Sequence, residues 1–280
     1  MKSIALRSGV LRPLAALCRS TARFPGRWRI VQWSVKESRA VGAAMGETTV
    51  TTGDGFRFTC DLRDWIGQYV FVTGTYEEPT AALMSRMVRP GDTVVDVGAN
   101  VGYFTLLLSH LVGPTGRVHA FEPMPHALER LKAHLAMNRC QNVTLHECAV
   151  GSTSGTTRLY LGPRHHTSVS SLMARDGAEA VDVHCTTLDD ALAGIRPTLV
   201  KVDVEGWESE VMAGAKTLLD SPDPPRIIAE VSDPGWTRGL QERGFTMFAI
   251  GEAGPREIVN ADLEGGQFNA LFCRTPLPAR

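Results

Sequence analysis

The sequence predicts an α/β fold in which one mostly parallel β-sheet is covered by helices on both faces. Strand-like and helix-like segments alternate from residue 93 to residue 243, with one irregular stretch that ends near residue 180. The strands are nearly continuous apolar runs rich in β-branched residues, as is typical of parallel strands buried on both faces. The last two strands have no helix between them, so we expect the final strand to be antiparallel.

These patterns predict seven strands and four helices within the sheet region. The strands are TVVDVG (93–98), GRVHAFE (116–122), VTLHECAV (143–150), TLVKVDV (198–204), RIIAEV (226–231), FTMFAI (245–250) and QFNALFCR (267–274). The helices are YFTLLLSHL (103–111), PHALERLKAHLAMN (125–138), Trp207 to Leu219 and Trp236 to Arg243.

Two further elements are predicted ahead of the sheet. Residues 48–60 alternate around a Gly-Asp-Gly turn and predict a β-hairpin. A helix is expected to follow Pro79 and to stop near Pro90. We therefore divide the chain into a basic helical extension (1–45), a hairpin with a lead-in helix (46–90) and the sheet domain (91–275).

The extension carries eight Lys or Arg residues and no acid from Met1 to Lys36. Its apolar stretch is interrupted by Arg7 and Arg12, which argues against a secretory signal, and it is too short to span a membrane. Three interpretations stay open: an amphipathic helix packed on the body, an arm that contacts a membrane surface or a partner, and an organellar transit peptide.

The overall composition excludes several classes of function. A net charge of -1 provides no global attraction to nucleic acid, and no stretch indicates a nucleic-acid-binding face. The six cysteines form no C-x-x-C pair and have no histidine at zinc-ligand spacing, so they indicate a reducing compartment and a cytoplasmic location. The sequence does not indicate an oligomeric state.

Acidic residues mark the carboxyl ends of four predicted strands. Ligands bind beyond these ends in open α/β sheets, where the strand order reverses. A single acid there could instead cap a helix or interact with its dipole. Several acids on one edge favour a binding site, and they are Asp96, Glu122, Asp203, Glu205 and Glu230.

The glycine turn after the first strand distinguishes between nucleotide ligands. A phosphate-binding loop requires a lysine after the second glycine, but Tyr103 follows Gly102. A dinucleotide turn requires a middle glycine, but Asn100 stands there, and Asp96 would repel a diphosphate. An acid suits the ammonium group of a sulfonium amino acid, and Glu122 is placed to accept hydrogen bonds from a ribose diol. The pattern therefore favours S-adenosylmethionine over NAD.

The chain resembles the FkbM-type S-adenosylmethionine-dependent methyltransferases. The resemblance rests on DVGANVGYFTLLLS, AFEPMP, CAVG, TTLDDAL, LVKVDVEGWESEVMAGA and IIAEV, which occur in the order of the family and within residues 64–274. It implies a class I methyltransferase fold with seven strands, the last antiparallel. It also implies methyl transfer to a hydroxyl, often of a sugar or secondary metabolite, although some members methylate nitrogen.

The resemblance also implies which residues hold the cofactor. The turn beside its methionine part would be Asp96, Gly98, Asn100 and Gly102. Glu122 would bind the ribose, and Cys148 and Ala149 would lie along the adenine. Tyr76 and Glu77 would close over the cofactor, unless Tyr76 is a packing aromatic and Glu77 a first-turn acid favoured by the helix dipole.

The fourth strand carries the strongest candidate for chemistry. Alternation along a strand would place Lys201, Asp203 and Glu205 on one side. Methyl transfer requires the acceptor to be aligned and its proton removed, so Asp203 is predicted to be the general base or the acceptor-orienting group, with Lys201 holding its charge. Glu205 and Glu230 would bind substrate hydroxyls, or the three carboxylates of Asp203, Glu205 and Glu230 would bind a divalent cation such as Mg²⁺. A purely structural network of Lys201 and these carboxylates is the alternative.

Other candidates lie outside this strand. His165 and His166 fall in a polar connection, where His166 could act as a base and where solvated bystanders are the alternative. Arg164 could contact an anionic acceptor. Trp207 could stack on a sugar or pack in the core. The predicted function is methylation of a small-molecule hydroxyl; the alternatives are N-methylation and a catalytically silent S-adenosylmethionine-binding protein.

Overall fold

The structure is a computed structural model that describes residues 2–19, 27–161, 172, 179–258 and 267–275. Its strands are β1 (Glu47–Thr51), β2 (Arg57–Asp61), β3 (Thr93–Val97), β4 (Arg117–Phe121), β5 (Val143–His146), β6 (Ala149–Val150), β7 (Gly155–Tyr160), β8 (Ala180–Thr186), β9 (Leu199–Val202), β10 (Arg226–Val231), β11 (Thr246–Gly251), β12 (Gly254–Glu257) and β13 (Phe268–Cys273). Its helices are α1 (Lys2–Arg19), α2 (Arg27–Met45), α3 (Trp65–Thr73), α4 (Glu78–Met87), α5 (Tyr103–Val112), α6 (Pro125–Asn138), α7 (Leu188–Ala191), α8 (Glu208–Ala213), α9 (Lys216–Leu219) and α10 (Thr237–Glu242).

The central sheet has the strand order β5-β4-β3-β9-β10-β13-β11-β12. The five strands β5, β4, β3, β9 and β10 run parallel to one another. Strand β13 is antiparallel to both of its neighbours, β10 and β11. The predicted seven-stranded sheet with an antiparallel last strand is confirmed, and β12 extends it as an edge hairpin. The strand order reverses at β3, between β4 and β9, which is where such sheets bind ligands.

Apolar side chains cover both faces of this sheet. Along β3, Val94 belongs to one buried cluster, while its neighbours Val95 and Val97 belong to another. The first cluster includes side chains of α3, α4 and α5, and the second includes side chains of α8, α9 and α10. The alternation of side chains along a strand therefore feeds two separate hydrophobic layers, as predicted for a doubly covered sheet.

The third predicted strand is wrong in its extent. β5 ends at His146, and the following Ala149–Val150 pairs with β8 in a separate three-stranded sheet of order β6-β8-β7. The stretch predicted to be irregular up to residue 180 contains β7, and β8 begins where that stretch ends. The two strands were missed because 19 residues separate them in sequence, from Leu161 to Glu179.

The helix predicted from Trp207 to Leu219 is interrupted. Gly214 passes so close to Gly151 that an added Cβ would lie 2.0 Å from the Gly151 carbonyl oxygen. A new helix, α9, then starts where the Asp189 carboxylate accepts hydrogen bonds from the backbone amides of Thr217 and Leu218, at 2.9 and 3.0 Å. The close backbone contact and this cap divide the segment into α8 and α9.

The N-terminal extension consists of two helices packed on the body. Leu11 and Ala15 of α1 and Val31 and Val35 of α2 are buried in the same hydrophobic cluster as Phe58 of the hairpin. Arg19 donates a hydrogen bond to the Phe71 carbonyl oxygen of α3. This packing supports the interpretation of the extension as amphipathic helices packed on the body, where they contact the hairpin and α3.

Helix α3 was not predicted. Its N-cap is Asp64, whose carboxylate accepts hydrogen bonds from the amides of Ile66 and Gly67 at 3.2 and 3.5 Å. The segment lacks charged residues, and six of its nine residues are buried, so it shows no clear amphipathic period.

No helix in the described ranges combines the length and the hydropathy that crossing a membrane requires.

A glycine pair tests whether α2 is docked as described. Gly42 is buried in α2, where an added Cβ would lie 2.3 Å from the Leu62 carbonyl oxygen, whereas a Cβ on Gly9 in α1 meets nothing within 4 Å. We expect Gly42→Ala to lower the free energy of unfolding by about 1–3 kcal/mol through overpacking. Gly9→Ala should raise it by up to about 1 kcal/mol through helix propensity. Urea unfolding followed by circular dichroism measures both, and equal midpoints would contradict the docking of α2.

Candidate active site

A cleft that is partly open to solvent lies at the carboxyl ends of β3, β4, β9 and β10. Most of the candidate site residues predicted from the sequence line this cleft, although they come from segments far apart in the chain. These are Tyr76, Glu77, Gly98, Asn100, Gly102, Glu122, Cys148, Ala149, Lys201, Asp203, Glu205 and Glu230. Its position at the reversal of strand order and its mixture of apolar and carboxylate side chains are those of a small-molecule site.

The glycine turn packs against the backbone that follows β9 and against α6. Gly98, Asn100 and Gly102 all have positive φ, at 80°, 51° and 93°. A Cβ on Gly98 would lie 1.9 Å from the Asp203 carbonyl oxygen, and one on Gly102 would lie 2.4 Å from Cδ1 of Leu131 in α6. The two glycines are therefore required by close packing as well as by conformation, and asparagine is among the few other residues that adopt this conformation readily.

Glu122, which follows β4, connects the glycine turn to the end of that strand. Its Oε2 accepts a hydrogen bond from the Asn100 amide at 2.7 Å, and its Oε1 accepts one from the Met124 amide at 2.8 Å. The side chain is buried, and burial raises the pKa of its carboxyl to about 7 despite these two bonds. Each carboxylate oxygen retains a lone pair that can accept a hydrogen bond from a ligand hydroxyl.

This region fits S-adenosylmethionine. Glu122 offers fixed acceptors for a ribose diol, and the buried Oδ1 of Asn100 has no hydrogen-bond partner and could accept from a donor on the methionine part. Cys148 and Ala149 give the cleft an apolar wall, where burial raises the pKa of the Cys148 thiol to about 11 and keeps it neutral. Acceptors at the polar end and an apolar slot beyond them match a nucleoside joined to a cationic amino acid.

Asp96 lies behind the cleft rather than on its surface. Its side chain is fully buried, and its Oδ2 accepts a hydrogen bond from the Thr105 hydroxyl at 2.6 Å. Its Oδ1 has no hydrogen-bond partner and lies 3.8 Å from Nζ of Lys201. Burial raises the pKa of Asp96, and the Lys201 charge opposes that shift. Asp96 thus acts on the site through Lys201 and makes no surface for direct ligand contact.

Lys201 is a buried ammonium group enclosed on three sides. Its Nζ donates to Oδ2 of Asp203 at 3.0 Å, faces Asp96, and lies 4.6 Å from the centre of the Phe104 ring. Burial alone would lower the pKa of Lys201, but the carboxylates of Asp203, Asp96 and Glu77 outweigh burial and raise it. Lys201 therefore stays charged, and the aromatic face adds a favourable cation–π contact. Phe104 and Thr105 were not nominated from the sequence, where they read only as helix residues.

Asp203 and Glu205, the acids that follow β9, lie in a turn. β9 ends at Val202, so alternation along a strand does not apply to Asp203 and Glu205, although both still line the cleft. Glu205 has a φ of 54°, and the turn is held by Glu208, whose Oε1 accepts from the amides of Val204 and Gly206 at 3.3 and 3.2 Å. Sequence reasoning missed Glu208; an acid in the first turn of the next helix was the available signal.

Tyr76 and Glu77 close one side of the cleft. The Tyr76 ring packs edge-on against Tyr103, with ring centres 5.9 Å apart. Glu77 has a φ of 46°, and its Oε2 accepts a hydrogen bond from Nδ2 of Asn269 in β13 at 2.8 Å. Burial raises the pKa of Glu77, and the Asp203 charge adds to that shift. Asn269 was missed because the sequence marks it only as one residue of an apolar strand.

Glu230 occupies the carboxyl end of β10, which is the neighbour of β9 in the sheet. Burial, followed by the charge of Asp203, raises the pKa of Glu230 to about 7. Among the described residues, no three His, Cys, Asp or Glu side chains are arranged to hold a metal ion, so the suggested set of Asp203, Glu205 and Glu230 gains no support. Glu230 is thus a half-buried carboxyl group that titrates near neutral pH.

The remaining candidates are not part of the described cleft. Trp207 is half-buried and packs against two hydrophobic clusters, which favours its packing interpretation over stacking on a substrate. Its indole Nε1 has no hydrogen-bond partner. Arg164, His165 and His166 fall outside the described residues.

Comparison with known proteins identifies the family of the chain. The sequence profile described as "Methyltransferase FkbM domain" matches residues 96–254. The chain is 32% identical over 199 residues to the 31-O-demethyl-FK506 methyltransferase FkbM of Streptomyces tacrolimicus, covering 58% of this chain and 75% of that protein. It is 24% identical over 193 residues to the hexuronic acid methyltransferase AglP of Haloferax volcanii, covering 69% and 77%. A solved S-adenosylmethionine-dependent O-methyltransferase from Thermotoga maritima aligns at 12% identity and a TM-score of 0.41, covering 74% of this chain and 68% of that chain. Because the profile spans more than half of the chain, the chain belongs to the FkbM family of S-adenosylmethionine-dependent methyltransferases.

Proposed function

We propose that the protein transfers a methyl group to a hydroxyl of a small, uncharged molecule. The observation that carries the proposal is the Lys201–Asp203 pair beside Glu230 in one cleft, next to the turn that fits the cofactor. Two relatives have small molecules as their named substrates, an O-demethylated metabolite and a hexuronic acid. When bound, S-adenosylmethionine would supply a methyl group already activated by its sulfonium, so the residues of the chain must align and deprotonate the acceptor.

The charges of the cleft favour a neutral acceptor. Its acceptor side is lined by the carboxyl groups of Glu77, Asp203, Glu205 and Glu230, whereas Lys201 is the one cationic side chain among the lining residues of the described chain. A substrate carboxylate would be repelled by this excess of acid, as like charges at short range are costly. The hydroxylated metabolite is therefore a better guide to the acceptor than the hexuronic acid.

Asp203 and Glu230 are suited to different tasks. The ammonium group of Lys201 donates a hydrogen bond to Oδ2 of Asp203 at 3.0 Å, which holds this carboxyl group in place as a fixed acceptor for a substrate hydroxyl. Glu230 has a pKa of about 7, near the value at which a general base works best at neutral pH. We therefore assign orientation of the acceptor to Asp203 and acceptance of its proton to Glu230.

An acceptor screen tests the proposed function. Release of S-adenosylhomocysteine would be followed with neutral hydroxylated metabolites, uronic acids and amines, each with and without a chelator. We expect turnover with neutral hydroxyl compounds that the chelator does not change. Turnover with uronic acids alone would contradict the charge argument, and methylation of amines alone would replace O-methylation by N-methylation.

The pH dependence of cofactor binding tests the role of Glu122. The pKa of its carboxyl is raised to about 7, so the group is protonated below that pH, and the ionised form is the better acceptor for a ribose diol. Binding must then release a proton, and the Kd for S-adenosylmethionine should rise by up to about tenfold per pH unit below about pH 7. Isothermal titration between about pH 6 and about pH 8 measures this.

Two variants isolate the titrating group. Glu122→Gln should weaken binding by about 10- to 100-fold at the higher pH and abolish the pH dependence, because the charge-assisted bonds are lost. Glu230→Gln should keep the pH dependence, since Glu230 lies on the acceptor side. A flat wild-type profile, or a slope that survives in Glu122→Gln, would refute the assignment of Glu122.

The division of labour between the two acceptor-side acids is tested by kinetics on an acceptor from the screen. Glu230→Gln should lower kcat by about 10²- to 10⁴-fold, the usual contribution of a general base, and remove the rise in rate through about pH 7. Asp203→Asn should mainly raise KM for the acceptor and keep that rise. If Asp203→Asn abolishes the pH-dependent rise while Glu230→Gln keeps it, Asp203 is the base instead.

A further inference from the structure

The exposed apolar side chains of the protein are concentrated on its first three helices. Among the described residues, the large hydrophobic side chains that are exposed are Val10 and Leu17 of α1, Trp33 of α2 and Trp65 of α3, each between 43% and 46% exposed. Apolar side chains gathered on one part of a surface mark a site of interaction more often than scattered ones do.

Basic residues are concentrated on the same helices. Helices α1 and α2 contain eight Lys or Arg residues and a single acid, Glu37, and α3 has no charged residue. The chain as a whole has 29 basic and 30 acidic residues, so this positive charge is segregated from an acidic remainder. Of these cations, Arg12, Arg29, Lys36 and Arg39 are exposed, so α1 and α2 carry exposed positive charge on a nearly neutral protein.

The outer face of α2 combines both properties. Arg29, Trp33 and Lys36 are spaced at four and three residues and so share one face of the helix, and all three are exposed. Val31 and Val35 lie on the inner face and are buried in the core. The face is thus an exposed tryptophan flanked along the helix by two cations, on a helix fixed firmly to the body.

We propose that the outer face of α2, together with the exposed apolar residues of α1 and α3, binds the surface of an anionic lipid bilayer. Lys and Arg are attracted to anionic headgroups, and tryptophan is favoured at the boundary between headgroups and acyl chains. A nucleic acid would satisfy the cations but would offer no hydrocarbon layer for Val10, Leu17 and Trp65. The contact is peripheral, since it uses side chains on the outside of packed helices.

The proposed surface adjoins one residue of the cleft wall. Trp65 is the first residue of α3, and its neighbour Ile66 lines the cleft. Trp65 also packs on Tyr69, with ring centres 4.7 Å apart, so its exposed ring is held in place by its own helix. Docking through these helices brings the side of the cleft formed by α3 towards the bilayer.

Vesicle sedimentation with the full chain tests the proposal. The protein would be mixed with vesicles of phosphatidylcholine alone and with vesicles containing about one third phosphatidylserine. We expect binding to the anionic vesicles only, and release when the salt concentration is raised from about 0.1 M to about 0.5 M, because salt screens the attraction. Equal binding to both vesicles, or no binding to either, would overturn the proposal.

Matched variants assign the binding to this face. Each cation near an anionic surface contributes about fivefold in binding, so Arg29→Glu with Lys36→Glu should weaken partitioning at least about 25-fold. Trp33→Ala should weaken it several-fold while the salt dependence persists. Arg158→Glu with Arg256→Glu, exposed positions on β7 and β12, makes the same change of charge and should have no effect. If this control weakens binding as much, the attraction is non-specific and the proposed face is wrong.

The outcome is separable from the proposed function. All variants lie outside the cleft, and titration with S-adenosylmethionine checks that each remains folded. Retention of the wild type on duplex DNA without vesicle binding would reassign the basic surface to nucleic acid, and the methyltransferase proposal would be unaffected.

Discussion

The ammonium group of Lys201, placed between the carboxylates of Asp96 and Asp203, is the interaction on which the site depends. Asp96 and Lys201 are register partners on β3 and β9, so the charge pair lies at the middle of the sheet, where no water compensates an isolated ion. Phe104 covers the cation from α5. One buried charge thereby fixes β3, β9 and α5 relative to Asp203 in the cleft.

A second constraint joins the two halves of the cleft. Gly98 lies against the backbone of Asp203, so the turn that fits the cofactor and the turn that carries the acceptor-side acid share one van der Waals contact. Glu122 fixes the other side of the glycine turn through two backbone amides. The separation of the two turns is therefore set by backbone packing, which is stiffer than side-chain contact.

Most of the sheet and most of the cleft could be predicted from the sequence, because apolar runs and acids at strand ends are local signals. The pairing of β7 with β8 could not, since it joins segments separated by a long connection. The burial of Asp96 was also beyond a sequence pattern, which shows that an acid ends a strand but not which of its neighbours faces the ligand. Asn269 was missed for a related reason, because its partner Glu77 is brought near only by the folded chain. Glu208 differs, because it bonds to amides two and four positions before it and its signal was local.

The hydrogen bond between Glu77 and Asn269 links the segment before α4 to the last strand of the sheet, 192 positions along the chain. β13 lies between β10 and β11, so the sheet is incomplete until that strand takes its place. The glycine turn and the acid-rich turn both precede β13 in the chain. The wall of the cleft that Glu77 forms is therefore secured by a strand that follows both turns, and loosening β13 would free that wall while leaving the two turns intact.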